Sequence, residues 1–173
     1  MLLLTNTYVQ YYNLFMDKTN AMRILDSHRE EYQAFQTGSI PTDGKDAARQ
    51  LGADEDCVFK TLVTVTPDAE HFVFVLPVSE TLDLKKAAKA VGVKSVSMLP
   101  QKALFPLTGY VHGGCSPIGM KKAFVTVIDE TALLFDEIYT SAGKLGVFLR
   151  TSPASFERVL GATFMDIVQT ERR

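Results

Sequence analysis

The chain has 173 residues, 46% hydrophobic and 22% charged, with a formal net charge of −2. That size suits one domain with its own core, and the charge balance excludes a global basic field, so any polyanion must meet a local patch. Two cysteines, Cys57 and Cys115, exclude a disulfide framework and a cysteine-rich metal site and fit a reduced, cytoplasmic setting, while no apolar run reaches the length of a membrane span.

In chain order, residues 1–16 stand apart. Met1-Leu2-Leu3-Leu4 is apolar, but no basic segment precedes it and no small-residue cleavage pattern follows, which argues against a secretory signal. Tyr8, Tyr11, Tyr12, Leu14 and Phe15 are too apolar for a free tail, and patterned sequence begins after Met16 at Asp17-Lys18-Thr19-Asn20, so 1–16 reads as an N-terminal extension, either from an upstream start codon or an added segment packed on the surface or a neighbour, and 17–173 as the domain. Asn20 is placed as the cap of a helix that begins with Ala21–Asp26 and ends near His28 to Glu31. A strand follows at Tyr32–Phe35, then a loop over Gly38–Thr42. Asp43-Gly44 leads into a short helix through Leu51, stopped by Gly52. Val58–Val65 and His71–Val78, separated by the turn residues Thr66–Glu70, read as a hairpin. Asp83 caps a helix to Val91. Lys94–Leu99 is a strand, and Pro100 and Pro106 bracket a short irregular or helical piece. Further strands are expected at Phe124–Ile128, Glu137–Ser141 and Gly146–Arg150. Ser152-Pro153 starts a helix to about Gly161, and Phe164–Val168 is a last strand. Strands outnumber helices, and many connections are too short for crossover helices, so the pattern predicts one α/β or α+β domain with a mixed, largely antiparallel or curled sheet.

Two features carry chemistry. Val58–Val65 is an apolar strand with Lys60 in its middle. Alternation puts Val58, Lys60 and Leu62 on one face and Phe59, Thr61, Val63 and Val65 on the other. A strand this apolar is covered on both faces, and lysine is rarely buried without a partner. Lys60 therefore points into a cleft or toward an anion, or else its stem lies along the core with the amine in water. The second feature is Gly113-Gly114-Cys115-Ser116-Pro117-Ile118-Gly119, a loop whose glycines let backbone N–H groups face a ligand as an anion nest or oxyanion site, or simply make a turn. It lacks the lysine and hydroxyl of a P-loop. His112 and Cys115 lack a third orienting group and do not read as a nucleophile–base pair. His28 and His71 have no metal-ligand spacing. Asp129-Glu130 reads as a cap after a strand. Lys85, Lys86, Lys89, Lys94, Lys121, Lys122 and Lys144 could form a basic rim for phosphates.

The order of these pieces resembles the YbaK/EbsC family of aminoacyl-tRNA deacylases. The matching segments are Lys18–Arg23, Asp43-Gly44, Val58–Val63, Leu82–Lys89, Thr108-Gly109-Tyr110 with Gly113–Lys122, Ile128-Asp129-Glu130, and Ser141-Ala142-Gly143-Lys144. The resemblance implies a single α/β domain with a central mixed, barrel-like sheet and peripheral helices. It also implies hydrolysis of a wrong amino acid from tRNA, most typically cysteine from proline tRNA, acting in trans beside prolyl-tRNA synthetase. The family lysine falls on Lys60, the next threonine on Thr61, the first loop glycine on Gly113 and the S-x-G serine on Ser141. Gly114, Ser116, Pro117 and Gly143 complete the candidate set, with Lys60, Gly113 and Gly114 at the reacting ester and the others binding substrate.

In that resemblance the substrate thiol itself attacks the ester and leaves as a cyclic thiolactone, so no metal or organic cofactor is implied. A lysine of ordinary pKa, about 10.4, is charged at neutral pH and a poor base. Lys60 is accordingly assigned to oxygens of the acylated 3′-terminal adenosine, and the Gly113–Gly114 amides to the ester carbonyl. Two departures stand out. Thr37 falls where the family often has a tyrosine, and Pro106 interrupts a stretch that is usually helical. A deacylase for alanine or serine, or a non-catalytic tRNA- or synthetase-binding module, are the competing readings.

Overall fold

β4 (His71–Pro77) shows how the sequence organises the domain. Phe72, Phe74 and Leu76 alternate with Val73 and Val75 and are all buried. The first set packs beneath α3 (Leu84–Ala90), against Ala87 and Ala88. The second faces the main core, with Met22, Leu25, Ile118, Ile128 and Phe156. Both faces of the strand are covered, which is why its sequence is apolar throughout rather than alternating.

The structure, a computed structural model, describes residues 10–11 and 17–170; the rest of the expected 1–16 extension lies outside them. One sheet has four strands in the order β1 (Gln10–Tyr11), β2 (Gln33–Gln36), β8 (Val147–Thr151) and β7 (Ile138–Lys144), all antiparallel. The other has five, in the order β5 (Ser97–Met98), β3 (Phe59–Val65), β4, β6 (Thr126–Asp129) and β9 (Thr163–Met165). Here β3–β4 is the expected hairpin and β4–β6–β9 run parallel. A single parallel bridge, Val58 to Tyr139, joins the two sheets. The domain is thus a mixed α/β fold as expected, but the barrel-like sheet is two sheets meeting at β3 and β7, without closure. No helix among the described residues is long and apolar enough to cross a membrane.

Most helix ends follow local chemistry. Asp43 caps α2 (Gly44–Leu51) through the Asp46 N–H and Asp83 caps α3. Ser152 and Pro153 open α5 (Pro153–Leu160). α1 (Asn20–Ser27) differs: Thr19 is the cap, and Asn20 is the first helical residue. That frees the Asn20 amide to donate to the Gly119 carbonyl at 3.0 Å, which docks α1 on the glycine loop. Pro106 sits inside α4 (Gln101–Thr108) without ending it. The ring removes one N–H from the ladder, and the chain leaves the helix only at Gly109 in the left-handed region. Lys94–Val96 and Asp166–Val168 fall short of the strands expected there; β5 and β9 keep two and three residues, consistent with their place at the sheet edges. Asp129 is 1% exposed and accepts from the Thr131 and Ile167 N–H groups, a structural cap as its sequence suggested.

The segment after α1 is tied to α5 by charge. Glu30 accepts both Arg158 Nε and Nη2 at 2.7 Å, and the Ser155 hydroxyl at 2.7 Å. The Arg158 bonds, with Ser155 adding to them, hold the Glu30 carboxyl down at about 2, against an ordinary 4.5. A carboxyl depressed in the folded state stabilises it above its unfolded pKa and loses that contribution as pH falls through the folded one. Wild type should therefore lose melting temperature between pH 4.5 and 2 more steeply than Glu30→Gln, measured by thermal denaturation across that window; equal slopes would remove Glu30 from acid stability.

Candidate active site

A cavity of about 620 Å³ opens where the two sheets meet. Its wall is built from the N-terminus of α2, the middle of β3, α4 at Leu104, the loop from His112 to Cys115, and the β7–β8 turn at Leu145. Lys60, Thr61, Gly113 and Ser141 all line it. Residues far apart in sequence thus converge because β3 and β7 run side by side at the Val58–Tyr139 bridge.

Lys60 is half-buried, and its ammonium donates to the Glu80 carbonyl oxygen. Burial lowers its pKa from the ordinary lysine value; Glu80 opposes that shift, and nearby Lys45 adds to it. An ammonium has three donors, so two remain for a ligand. Ser141 accepts the Gly143 N–H at 3.2 Å and keeps its own proton to donate. The Thr61 hydroxyl is buried, and no group among the described residues hydrogen-bonds to it.

In the loop, Gly113 lies at the third position of a turn closed by the Gly114 N–H donating to the Val111 carbonyl at 3.0 Å, with φ +84°. The Gly114 amide is therefore engaged, and Gly113 is the diglycine residue on the cavity wall. A Cβ on Gly114 would stand 3.2 Å from the Leu145 nitrogen, so this bend rests directly on the β7–β8 turn. Ser116 is fully buried, and its hydroxyl accepts the Ile118 N–H at 3.1 Å. Pro117 lines a separate cleft of about 200 Å³ behind the loop. Gly143 lies behind Ser141 and packs on Tyr110. Ser116, Pro117, Gly114 and Gly143 thus shape the loop and its support rather than the cavity wall.

Tyr110, which sequence reasoning gave no role, holds this assembly. Its ring is wedged between Gly119 and Gly143: a Cβ on Gly119 would be 2.7 Å from its hydroxyl, and one on Gly143 2.6 Å from its ring carbon. Both glycines have φ near +90°, and Gly143 sits in the β7 bulge. The Tyr110 hydroxyl donates to the Ile118 carbonyl at 2.7 Å, and burial pushes its pKa up to about 12. The available signal was the Thr108-Gly109-Tyr110 segment itself, but nothing local says that an aromatic ring must fit between two distant glycines.

Cys115 lines the cavity, yet burial pushes its thiol up to about 12, far from a reactive thiolate. His112 is exposed, and no hydrogen bond joins it to Cys115 or Ser141 among the described residues. Thr37 is buried off the cavity, with its hydroxyl donating to Ser39 and Gly146 carbonyls, and Phe148 supplies the cavity's aromatic wall. None of the seven rim lysines lines the cavity; the lysines that do are Lys45 and Lys60. Lys86 pairs with Asp166, and Lys121 stacks over Phe105. No cluster of three or more His, Cys, Asp or Glu among the described residues is arranged to hold a metal.

Residues 41–159 match the aminoacyl-tRNA editing domain family. Over 156 residues the chain is 40% identical to an Enterococcus faecalis protein whose name assigns it as the Cys-tRNA(Pro)/Cys-tRNA(Cys) deacylase EbsC, covering 89% of this chain and 95% of that one. It is also 33% identical over 76 residues to a proline–tRNA ligase of Shouchella clausii, covering 44% of this chain and 13% of the ligase. Among solved structures, one described as a trans-editing enzyme for prolyl-tRNA synthetase superposes with TM-score 0.77 at 23% identity, over 87% of this chain and 96% of that one. A hypothetical protein superposes at 0.81 with 22% identity, over 87% and 99%.

The Tyr110 wedge makes a stability prediction. Gly143→Ala adds a left-handed Cβ penalty to a collision with the ring, together about 2–5 kcal/mol. Urea unfolding should show that loss, and Tyr110→Ala in the same chain should relieve part of it, giving a sub-additive double mutant. Strict additivity would place the collision elsewhere.

Proposed function

The chain belongs to the aminoacyl-tRNA editing domain family, and from that membership we propose that its cavity takes the acylated 3′ end of a tRNA and frees a wrongly attached cysteine from proline tRNA. The enzyme class, an aminoacyl-tRNA deacylase, follows from the family and its relatives. The choice of cysteine and of proline tRNA is supported by the 40% identity to the EbsC protein. The shared stretch with a proline–tRNA ligase supports action beside prolyl-tRNA synthetase, and hence in the cytoplasm.

The observation that carries the mechanism is that Lys60, Gly113 and Ser141 share one cavity with no competent protein nucleophile among its described residues. A cysteinyl ester brings its own. Its thiol, with an ordinary pKa of about 8.5, is a few per cent thiolate at neutral pH. The sulfur attacks the ester carbonyl carbon, and the carbon–oxygen bond to the ribose breaks. The ribose oxygen takes up the proton the thiol lost, and water opens the resulting cyclic thioester to free cysteine. The Lys60 ammonium and the Gly113 amide steady the oxygens on which charge develops. Thr61 and Ser141 hold the acyl group, while Gly114, Ser116, Pro117 and Gly143 keep the loop in place. Ile40 and Leu145, 62% and 39% exposed at the cavity, offer an apolar mouth to the terminal adenine. The main demand is orientation, which alone lowers such barriers by several kcal/mol.

Removing a hydrogen bond to a charged group costs about 1.5–3 kcal/mol, or roughly 10- to 100-fold. Lys60→Ala should lower kcat/KM on Cys-tRNA(Pro) by that factor with circular dichroism unchanged, assayed beside alanyl and seryl esters. Full activity in that variant would take Lys60 out of the site. Faster release of alanine or serine than of cysteine would replace the thiol route with attack by water.

A further inference from the structure

The α-amino group of an aminoacyl ester is a cation when protonated, and in this cavity it meets two like charges, Lys60 and Lys45. It must be seated away from both. Asp43 is the sole carboxylate among the described residues lining the cavity. Glu80, whose carbonyl anchors Lys60, is not on that wall. Lys45 itself leans toward Glu55, 3.5 Å away.

The Asp43 carboxylate is half-occupied. One oxygen, Oδ1, accepts the Asp46 N–H at 2.8 Å and caps α2. No donor among the described residues takes Oδ2. The backbone beneath it is fixed, because a Cβ on the adjacent Gly44 would fall 2.5 Å from a Val78 methyl carbon. α2 therefore sits tight against the end of β4, and the carboxylate is held at the rim. The helix end contributes about half a positive charge, so the capped Asp43 still presents a net negative site of about half a charge.

We infer that Asp43 is the ammonium seat of the deacylase, binding the α-ammonium of the aminoacyl ester through its uncommitted oxygen and so selecting a free amino acid over an N-blocked or peptidyl ester. This rests on the deacylase reading of the cavity. It assigns the two ends of the acyl group to opposite charges: oxygens to Lys60 and the Gly113 amide, nitrogen to Asp43. The same carboxylate keeps its capping role, so charge and fold can be separated. Asparagine caps a helix about as well as aspartate but carries no charge.

The test uses non-hydrolysable adenosine with cysteine joined to its 3′ position through an amide, in two forms, free amine and N-acetyl, titrated by calorimetry into wild type and Asp43→Asn. Wild type should bind the free-amine form about tenfold tighter, the worth of one hydrogen bond between charged groups. Asp43→Asn should bind both forms alike, with a melting temperature close to wild type. Asp43→Ser, another capping residue, should behave as asparagine does. An equal affinity of wild type for the two forms, failure of wild type to bind either, or a preference that survives in both variants would overturn the assignment. Hydrolysis of Cys-tRNA(Pro) is measured in parallel. A preference that depends on Asp43 in a protein that cleaves no ester would leave the ammonium seat standing and remove the deacylase reading instead.

Discussion

One aromatic ring sets the geometry on which the site depends. Tyr110 fills the gap between Gly119 and Gly143, two glycines whose missing side chains are what let it in. Through Gly119 and the Ile118 carbonyl it grips the far end of the diglycine loop. Through Gly143 it grips the bulge of β7 two residues beyond Ser141. Asn20, at the head of α1, closes the same joint from outside by donating to Gly119. Packed interiors have little room to shift, so the Gly113 bend and Ser141 hold a fixed separation across the cavity. Lys60 meets them from β3, whose start is bridged to β7.

This arrangement suits a site that orients more than it attacks. Burial raises the pKa of the Cys115 thiol, and the Ser141 hydroxyl, which accepts the Gly143 N–H, has no histidine or carboxylate base bonded to it among the described residues. What the cavity does offer is the half-buried Lys60 beside an exposed Lys45, a glycine bend at Gly113, the hydroxyl side chains of Thr42, Thr61 and Ser141, an apolar wall and one carboxylate, Asp43. In the function proposed above, those groups would meet the parts of an acylated adenosine: developing negative charge at the ester, a positive amine, and a flat base. Desolvation strengthens the few polar contacts that remain, so a sparse set is enough when it is held still.

The sequence made much of this legible, for reasons that can be traced. Lys60 in an apolar strand and the glycine run at 113–119 were informative because each breaks a local rule: a charge where burial is expected, and flexible residues where the chain should be ordered. The β3–β4 hairpin and the caps at Asp43, Asp83 and Ser152 follow from neighbouring residues alone. What could not be read were features made by distant residues. Asn20 looks like a cap until Gly119 is brought beside it. Thr37 stood out only as a departure from a family tyrosine, and its burial against the Gly146 turn, which takes its hydroxyl, could not be read locally. Gly114 looks equal to Gly113, yet the Val111 carbonyl takes its amide. Asp43 was visible as a helix start, while its position on the cavity wall depends on α2 packing against Val78. The two sheets in place of one barrel reflect the same limit, since strand order is a long-range property.

The central claim is that this fold supplies orientation while the substrate supplies the nucleophile. Single-turnover cleavage of cysteinyl-tRNA(Pro) against its S-methylcysteinyl counterpart tests it most directly, because methylation removes the ionisable S–H, and with it the thiolate, while adding only one carbon to a cavity of about 620 Å³. The account predicts rapid release of cysteine and near-background release of S-methylcysteine. Equal rates for the two esters would contradict it and require a nucleophile delivered by the protein or by water.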